Sequence, residues 1–375
     1  MQTAERVWFS TLALGLALAA GCSASGGPTP GAPSNGALAG GAAAADAFAH
    51  LPNGPAVRFD APYTPPPGTI YLGAYVANNK DETPPEQISD TAAFETTIGR
   101  KLAMNLHYHL WTDTLVGVGE QDDISNGRIP FVSWSCVEAD QTGVNDTDIA
   151  AGMYDAAIAK RAAAVAAVAP NTIFLRYKWE MNLVYNQGCA GPNDKPDKYG
   201  KVHYSPTDYI AAWEHIRSVF AANGATNVVW VWNPSGNGDP PDLYYPGDSQ
   251  VDWVAFDWYD TFDLYFEPIY TYSYNHTKDR ETWTYPYFSK HHANKPLMIG
   301  ETGAEPVWQA NYFRGESPTY ARAVTALQKS FPNIAAYVYW NSSGGRGDFR
   351  IVPPGLGLFK KFANDPYLSG THPDP

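Results

Sequence analysis

FLRYKWEMN, residues Phe174 to Asn182, begins as an apolar strand and ends on a carboxylate. Successive side chains of an extended chain point to opposite faces, so Arg176, Lys178 and Glu180 fall in phase. Buried charges persist only when paired. The two cations are therefore expected to face inward carboxylates or to be displaced by a local bulge.

This stretch is the fourth of eight similar runs. The others are TIYLGAYVA (Thr69 to Ala77), LAMNLHYHLW (Leu102 to Trp111), RIPFVSWSC (Arg128 to Cys136), NVVWVWNP (Asn227 to Pro234), VDWVAFDWY (Val251 to Tyr259), PLMIGET (Pro296 to Thr302) and IAAYVYWNS (Ile334 to Ser342). Helical patterns separate several of them. The alanine-rich run from Asp148 to Ala169 starts on an Asp cap. The run from Ser205 opens on a Ser-Pro cap and closes on Gly224. SPTYARAVTALQKSF, from Ser317, repeats that design. The weakest helix lies between the sixth and seventh strands, in the aromatic segment Thr271 to His292. Near-continuous apolar strands alternating with helices indicate a parallel sheet covered on both faces. Eight such units in about 310 residues predict a closed (β/α)8 TIM barrel, a single domain over residues 59–370.

Composition narrows the function. The chain of 375 residues carries a net charge of −13 and no basic run, which excludes a phosphate-binding surface for nucleic acid or anionic lipid. Aromatics reach 14%, with 12 Trp and 24 Tyr, which suits a surface that stacks flat ligands such as sugars. VWFSTLALGLALAAGC, ending at Cys22, has the length of a secretory signal and is short for a membrane span. Residues 1–22 are thus expected to be a signal peptide. Residues 23–58, rich in Gly, Ala, Pro and Ser, are expected to form a flexible tether. Cys136 and Cys189 are a candidate disulfide pair in an exported protein.

In an eightfold barrel the active site lies at the carboxyl ends of the strands. Glu180 ends the fourth strand and Glu301 the seventh, in MIGETG. Alternation groups Glu301 with Leu297 and Ile299, and if that face points inward Glu301 caps the barrel interior. Two carboxylates over one barrel mouth are the machinery of glycoside hydrolysis, one as proton donor and one as nucleophile or base.

The motifs also carry a family resemblance. LRYKWEMN, GATNVVWVWNPSG, YYPGDSQVDWVAFDWYD and KPLMIGETG resemble the fourth to seventh strands of the clan A glycoside hydrolases, most of all family 26, the β-mannanases and related endo-β-glycanases. The resemblance implies Glu180 as acid/base and Glu301 as nucleophile. Tyr259, following Asp257, would hold the nucleophile ionised, and Arg176 and Asn182 would position and polarise the pair. Trp340 would floor the subsite of cleavage, with Trp134 and His109 in the same pocket and Trp179, Trp232 and Asp257 as further candidate substrate contacts. Trp179 stands where the family has histidine, which leaves mannan, xylan and β-glucan all open as substrates. The residues before Cys22 resemble a bacterial lipobox, which implies lipidation of Cys22 and a cell-envelope location; a plain cleaved signal peptide and a secreted protein are the other reading.

Other readings remain beside these. Trp232, Trp253, Trp258 and Trp340 also fit core packing, and His109 a satisfied interior histidine. His291 and His292 read as a solvated helix end. NDTD near Asn145 lacks the spacing of a calcium loop. Lys178 is the sole strand-end lysine for a Schiff base, a weak option. No metal or cofactor is expected, and the protein is expected to be a monomer. The competing class is a cell-surface glycan-binding protein on the same barrel.

Overall fold

The structure, a computed structural model, describes residues 61–371 apart from 79–81, 141, 184–188, 197–199, 201, 260–282, 315–320 and 345–346. The expected signal peptide, Cys22 and the tether lie outside the described residues, as do the loop tips after the fourth and sixth strands.

Eight parallel strands close into one barrel in sequence order. They are β1 (Tyr71–Val76), β2 (Met104–His109), β3 (Ile129–Trp134), β4 (Ile173–Tyr177), β5 (Val228–Trp232), β6 (Trp253–Asp257), β7 (Leu297–Thr302) and β8 (Ile334–Asn341). Closure comes from β1 against β8, with Tyr71 opposite Ala336 and Val76 opposite Asn341. Every barrel strand coincides with one of the eight apolar runs.

The strands are apolar on both faces because both are buried. Tyr71, Met104, Phe131, Phe174, Val229, Trp253, Met298 and Val338 fill the barrel. Leu72, Val132, Leu175, Trp232, Val254, Ile299 and Tyr337 face the helices. Each fully buried large side chain contributes about 1.5–3 kcal/mol.

The helices are α1 (Pro84–Ile98), α2 (Val118–Ser125), α3 (Asp146–Ala150), α4 (Asp155–Ala166), α5 (Pro206–Ala222), α6 (Tyr285–His291), α7 (Gln309–Arg314), α8 (Ala321–Lys329) and α9 (Gly355–Ala363). Ser205 caps α5 as expected, accepting from the Asp208 N–H. The alanine-rich run is two helices rather than one. Gly152, at φ +79°, breaks it, and the cap is Asn145 instead of Asp148. NDTD is thereby a helix start. Cys136 and Cys189 are disulfide-bonded, with Cα atoms 5.9 Å apart, joining the loop after β3 to the loop after β4.

Two irregularities place the site. Strict alternation would leave Glu301 with Leu297 and Ile299, on the helix-facing side. Instead the register shifts: Phe256 pairs with Ile299, but Asp257 pairs with Glu301. The bulge turns Glu301 into the barrel. In addition β4 stops at Tyr177, and Lys178 and Glu180 adopt φ +48° and +55°. The expected three-charge face therefore ends at Arg176.

Candidate active site

Arg176 is fully buried at the carboxyl end of β4 and organises the barrel mouth. Its Nε donates to Ser133 Oγ at 2.7 Å. One terminal nitrogen donates to Asn233 Oδ1 at 2.8 Å and lies 3.2 Å from Asp257 Oδ2. The other donates to Glu301 Oε1. Burial alone would lower the Arg176 pKa; Glu301 and Asp257 outweigh it and hold the guanidinium above its usual value.

Glu301 receives two further donors. Tyr108 OH donates to Oε1 and Tyr259 OH to Oε2, each at 2.7 Å. Burial, then the charge of Glu301, pushes both phenols well above their ordinary pKa, so both stay protonated as donors. Hydrogen bonds to a charged acceptor are roughly twice as strong as neutral ones, and three of them fix the orientation of this carboxylate. Burial and the neighbouring Glu301 raise the Asp257 pKa well above the carboxylate range, with Arg176 opposing.

The bulge needs Gly300. A Cβ there would lie 2.3 Å from Asn233 Oδ1 and 2.8 Å from Asp257 Oδ1. Only glycine lets β7 approach this polar floor so closely.

Glu180 is held differently. Its backbone N–H donates to the Asn233 carbonyl at 2.7 Å, and the Lys178 N–H to the Trp134 carbonyl at 2.9 Å. A left-handed conformation costs a non-glycine residue on the order of 1 kcal/mol, so two within three residues mark an over-determined turn. Asn233 links the two halves, with its side chain on Arg176 and its carbonyl on Glu180. Both glutamates act electrostatically on the Asp257 carboxyl. Glu180 and Glu301 are 4% and 6% exposed, so each keeps an edge toward solvent.

Aromatic rings surround these acids. Trp340 stacks on Tyr75 with centroids 5.7 Å apart and meets Tyr259 edge-on at 6.3 Å. Tyr108 lies 4.9 Å from Tyr75 and 5.2 Å from Trp179. The Trp179 ring also sits 5.3 Å from the Arg176 guanidinium carbon. Trp179 and Trp340 are each partly exposed, as a stacking surface for a sugar ring requires.

Four expected pocket residues lie elsewhere. Trp134 is fully buried on the helix side, stacked on Trp111 at 4.5 Å. Trp232 is likewise buried outward, its Nε1 donating to the Tyr244 carbonyl. His109 points away from the barrel interior and bonds Glu120 of α2 at 2.7 Å. Asn182 is buried with its amide bound to the carbonyls of Ser235, Asn237 and Asp239, so it braces the loop after β5 rather than the carboxylate pair. Asp257, 1% exposed, belongs to the floor beneath the acids and not to a sugar-contacting surface. His292 is buried against Asp242, while His291 alone is a solvated end.

Tyr108, Ser133, Asn233 and Tyr75 join the candidate site and were missed by the sequence reading. Tyr108 shares the inward phase of Met104 and Leu106, and Asn233 that of Val229 and Val231. Phase was the available signal. Among the described residues no group of three or more His, Cys, Asp and Glu side chains is arranged to hold a metal ion.

No family model matches the chain. It is 27% identical over 300 residues to endoglucanase H of Acetivibrio thermocellus, covering 78% of this chain and 30% of the relative. It is 26% identical over 134 residues to mannan endo-1,4-beta-mannosidase A and B of Caldalkalibacillus mannanilyticus, covering 36% of this chain and 22% of the relative. The chain resembles the family 26 glycoside hydrolases. It spans less than a third of the length of these curated relatives. In fold it matches a family 26 β-mannanase from Bacteroides ovatus, with TM-score 0.54 at 15% identity over 81% of this chain and 91% of that one. It also matches an endo-β-1,4-mannanase of Cellulomonas fimi, with TM-score 0.53 at 18% identity over 80% of this chain and 71% of that one.

Proposed function

We propose that this chain is a retaining endo-β-glycosidase acting on a β-linked polysaccharide, with Glu301 as nucleophile and Glu180 as acid/base. The observation that carries the reading is the set of donors on Glu301. A carboxylate held by Arg176, Tyr108 and Tyr259 is aimed by three donors, as a nucleophile must be.

In the first step a Glu301 oxygen attacks the anomeric carbon. The bond to the leaving oxygen breaks, and that oxygen takes the Glu180 proton. In the second step Glu180 removes a proton from water, the water oxygen attacks the same carbon, and Glu301 leaves with its electron pair. Two inversions retain configuration. Tyr75, Trp179 and Trp340 offer ring faces to the sugar. Mannan, xylan and β-glucan are the substrate candidates, since the relatives are named for endoglucanase and endo-mannosidase activity.

The protein is further proposed to be a monomer, exported and anchored through a lipid on Cys22. Radiolabelled palmitate incorporation that is lost in Cys22→Ala tests the anchor.

Reducing-sugar release across mannans, xylans and β-glucans tests the activity. Turnover on one of them, lost in both Glu180→Ala and Glu301→Ala, is expected. On an aryl glycoside whose leaving group departs without protonation, azide should then rescue Glu180→Ala and give the β-glycosyl azide. Binding to a polysaccharide without release would place the chain among glycan-binding proteins, and an α-azide product would mean inversion.

A further inference from the structure

Lys178 remains unexplained by the two-carboxylate site. It follows Tyr177 at the end of β4, yet its ammonium turns away from Asp257 and Glu301. Nζ lies 2.6 Å from Asp146 Oδ2 and 3.5 Å from the centroid of the Tyr204 ring. Asp146 opens α3, and its other oxygen accepts the Tyr177 hydroxyl at 2.8 Å. Lys178 and Asp146 are each 4% exposed. A buried ion pair is a poor source of stability, because desolvation offsets most of its attraction; where such a pair is kept, fixing one geometry is a better-attested use.

The geometry in question is unusual. Among the described residues, the non-glycine positions with positive φ are Tyr63, Lys178 and Glu180. Two of the three bracket Trp179. Arg176 fixes the chain on the inner side of the barrel, and Lys178 fixes it on the outer side, so Glu180 leaves a turn pinned from both directions. The same two segments are joined a second time, by the Cys136–Cys189 bond.

We propose that the Lys178–Asp146 pair is a lock that aims the Glu180 carboxyl, making both residues positioning residues for proton transfer. The inference rests on the acid/base reading of Glu180. Without the lock the left-handed turn relaxes and the carboxyl drifts from the leaving oxygen. A displacement near 1 Å costs roughly 100-fold in a positioned reaction. The nucleophile is untouched, because Lys178 makes no contact with its donors.

The test uses aryl β-oligosaccharides of whichever sugar the polysaccharide panel identifies, with a poor leaving group (phenyl) and a good one (dinitrophenyl). The variants are Lys178→Met, Lys178→Arg and the double Lys178→Met with Asp146→Leu, which leaves no lone buried charge. Lys178→Met and the double variant should slow phenyl cleavage by roughly 10- to 100-fold. The burst of dinitrophenol, which needs no acid, should keep its wild-type rate. Lys178→Arg should recover most of the phenyl rate. Equal losses on both substrates, or none, would overturn the lock. Glu180→Ala is run alongside. If it too fails to discriminate between leaving groups, the acid/base assignment falls and takes the lock with it. If Glu180→Ala discriminates and the lock variants do not, only the lock is wrong.

Discussion

Two buried charge networks sit on opposite sides of the same wall. Inside the barrel, Arg176 gathers Asp257 and Glu301 beneath a ring of aromatics. Outside it, between β2, β3 and the helices α1 and α2, Arg128 gathers Asp123 at 2.7 Å and Glu95 at 3.1 Å. Asp123 also pairs with His107, and Glu120 with His109 at 2.7 Å. Burial and ionic pairing are common to both, so neither property alone marks chemistry. The networks differ in what they face. The inner one presents a carboxylate to a mouth lined by Tyr75, Trp179 and Trp340. The outer one is closed over by helices and joins α1 and α2 to the strand ends. The inner cluster is therefore expected to govern turnover and the outer one stability.

Glu301→Ala breaks this comparison most severely if it is wrong. Loss of a nucleophile should cut kcat by more than about 10⁴-fold. The melting temperature should move little, since removing Glu301 also removes the charge that helps raise the Asp257 pKa and leaves Asp257 as the counter-charge of Arg176. Asp123→Ala should do the reverse. Removing one partner of a buried ion pair costs about 3–5 kcal/mol; Arg128 keeps Glu95 and His107 keeps Glu120, so a loss near the lower end of that range is expected. Urea unfolding should show that loss, while kcat of the folded fraction stays at the wild-type level. A large kcat effect from Asp123→Ala would dissolve the distinction. Tyr259→Phe is a finer probe. It deletes one hydrogen bond to a charged acceptor, worth about 1.5–3 kcal/mol, so kcat should fall by roughly 10- to 150-fold. Stability should fall less than in Asp123→Ala.

The sequence reveals the barrel more fully than the site, for a physical reason. A strand buried on both faces is apolar on both, so eight runs and their spacing are visible, but the inward face is not. One residue of phase decides everything that follows. Read with the wrong phase, β2 offers His109; in the fold it offers Tyr108. Trp134 and Trp232 look like sugar platforms and pack against helices, while Ser133 and Asn233 beside them face the site. Glu301 was found through its place at a strand end, although alternation alone would have sent it outward. The bulge that redirects it depends on Gly300 meeting Asn233 and Asp257, residues from two other strands. The left-handed turn at Lys178 and Glu180 likewise depends on Asp146 and Asn233. Such contacts have no local signal.

The smallest predicted effect is a pH dependence carried by the outer network. Burial would lower the His107 pKa, but Glu120 and Asp123 outweigh it and raise it to about 9. A raised pKa means that His107 contributes its full stabilisation below its unfolded value of about 6.5. That contribution is lost as pH rises through about 9. Glu120 runs the other way. Burial raises its pKa, and His107 and His109 overcome that to bring it down to about 2. Its contribution is present above its unfolded value of about 4.3 and fades as pH falls toward 2. Melting temperature should thus plateau between these limits and decline on both sides. His107→Asn should lower the plateau and flatten the alkaline decline, because the titrating group is gone. The pH profile of kcat/KM, set by the acids inside the barrel, should keep its shape in the same variant. If the activity profile shifts while the stability profile does not, the two networks have been assigned to the wrong sides of the wall.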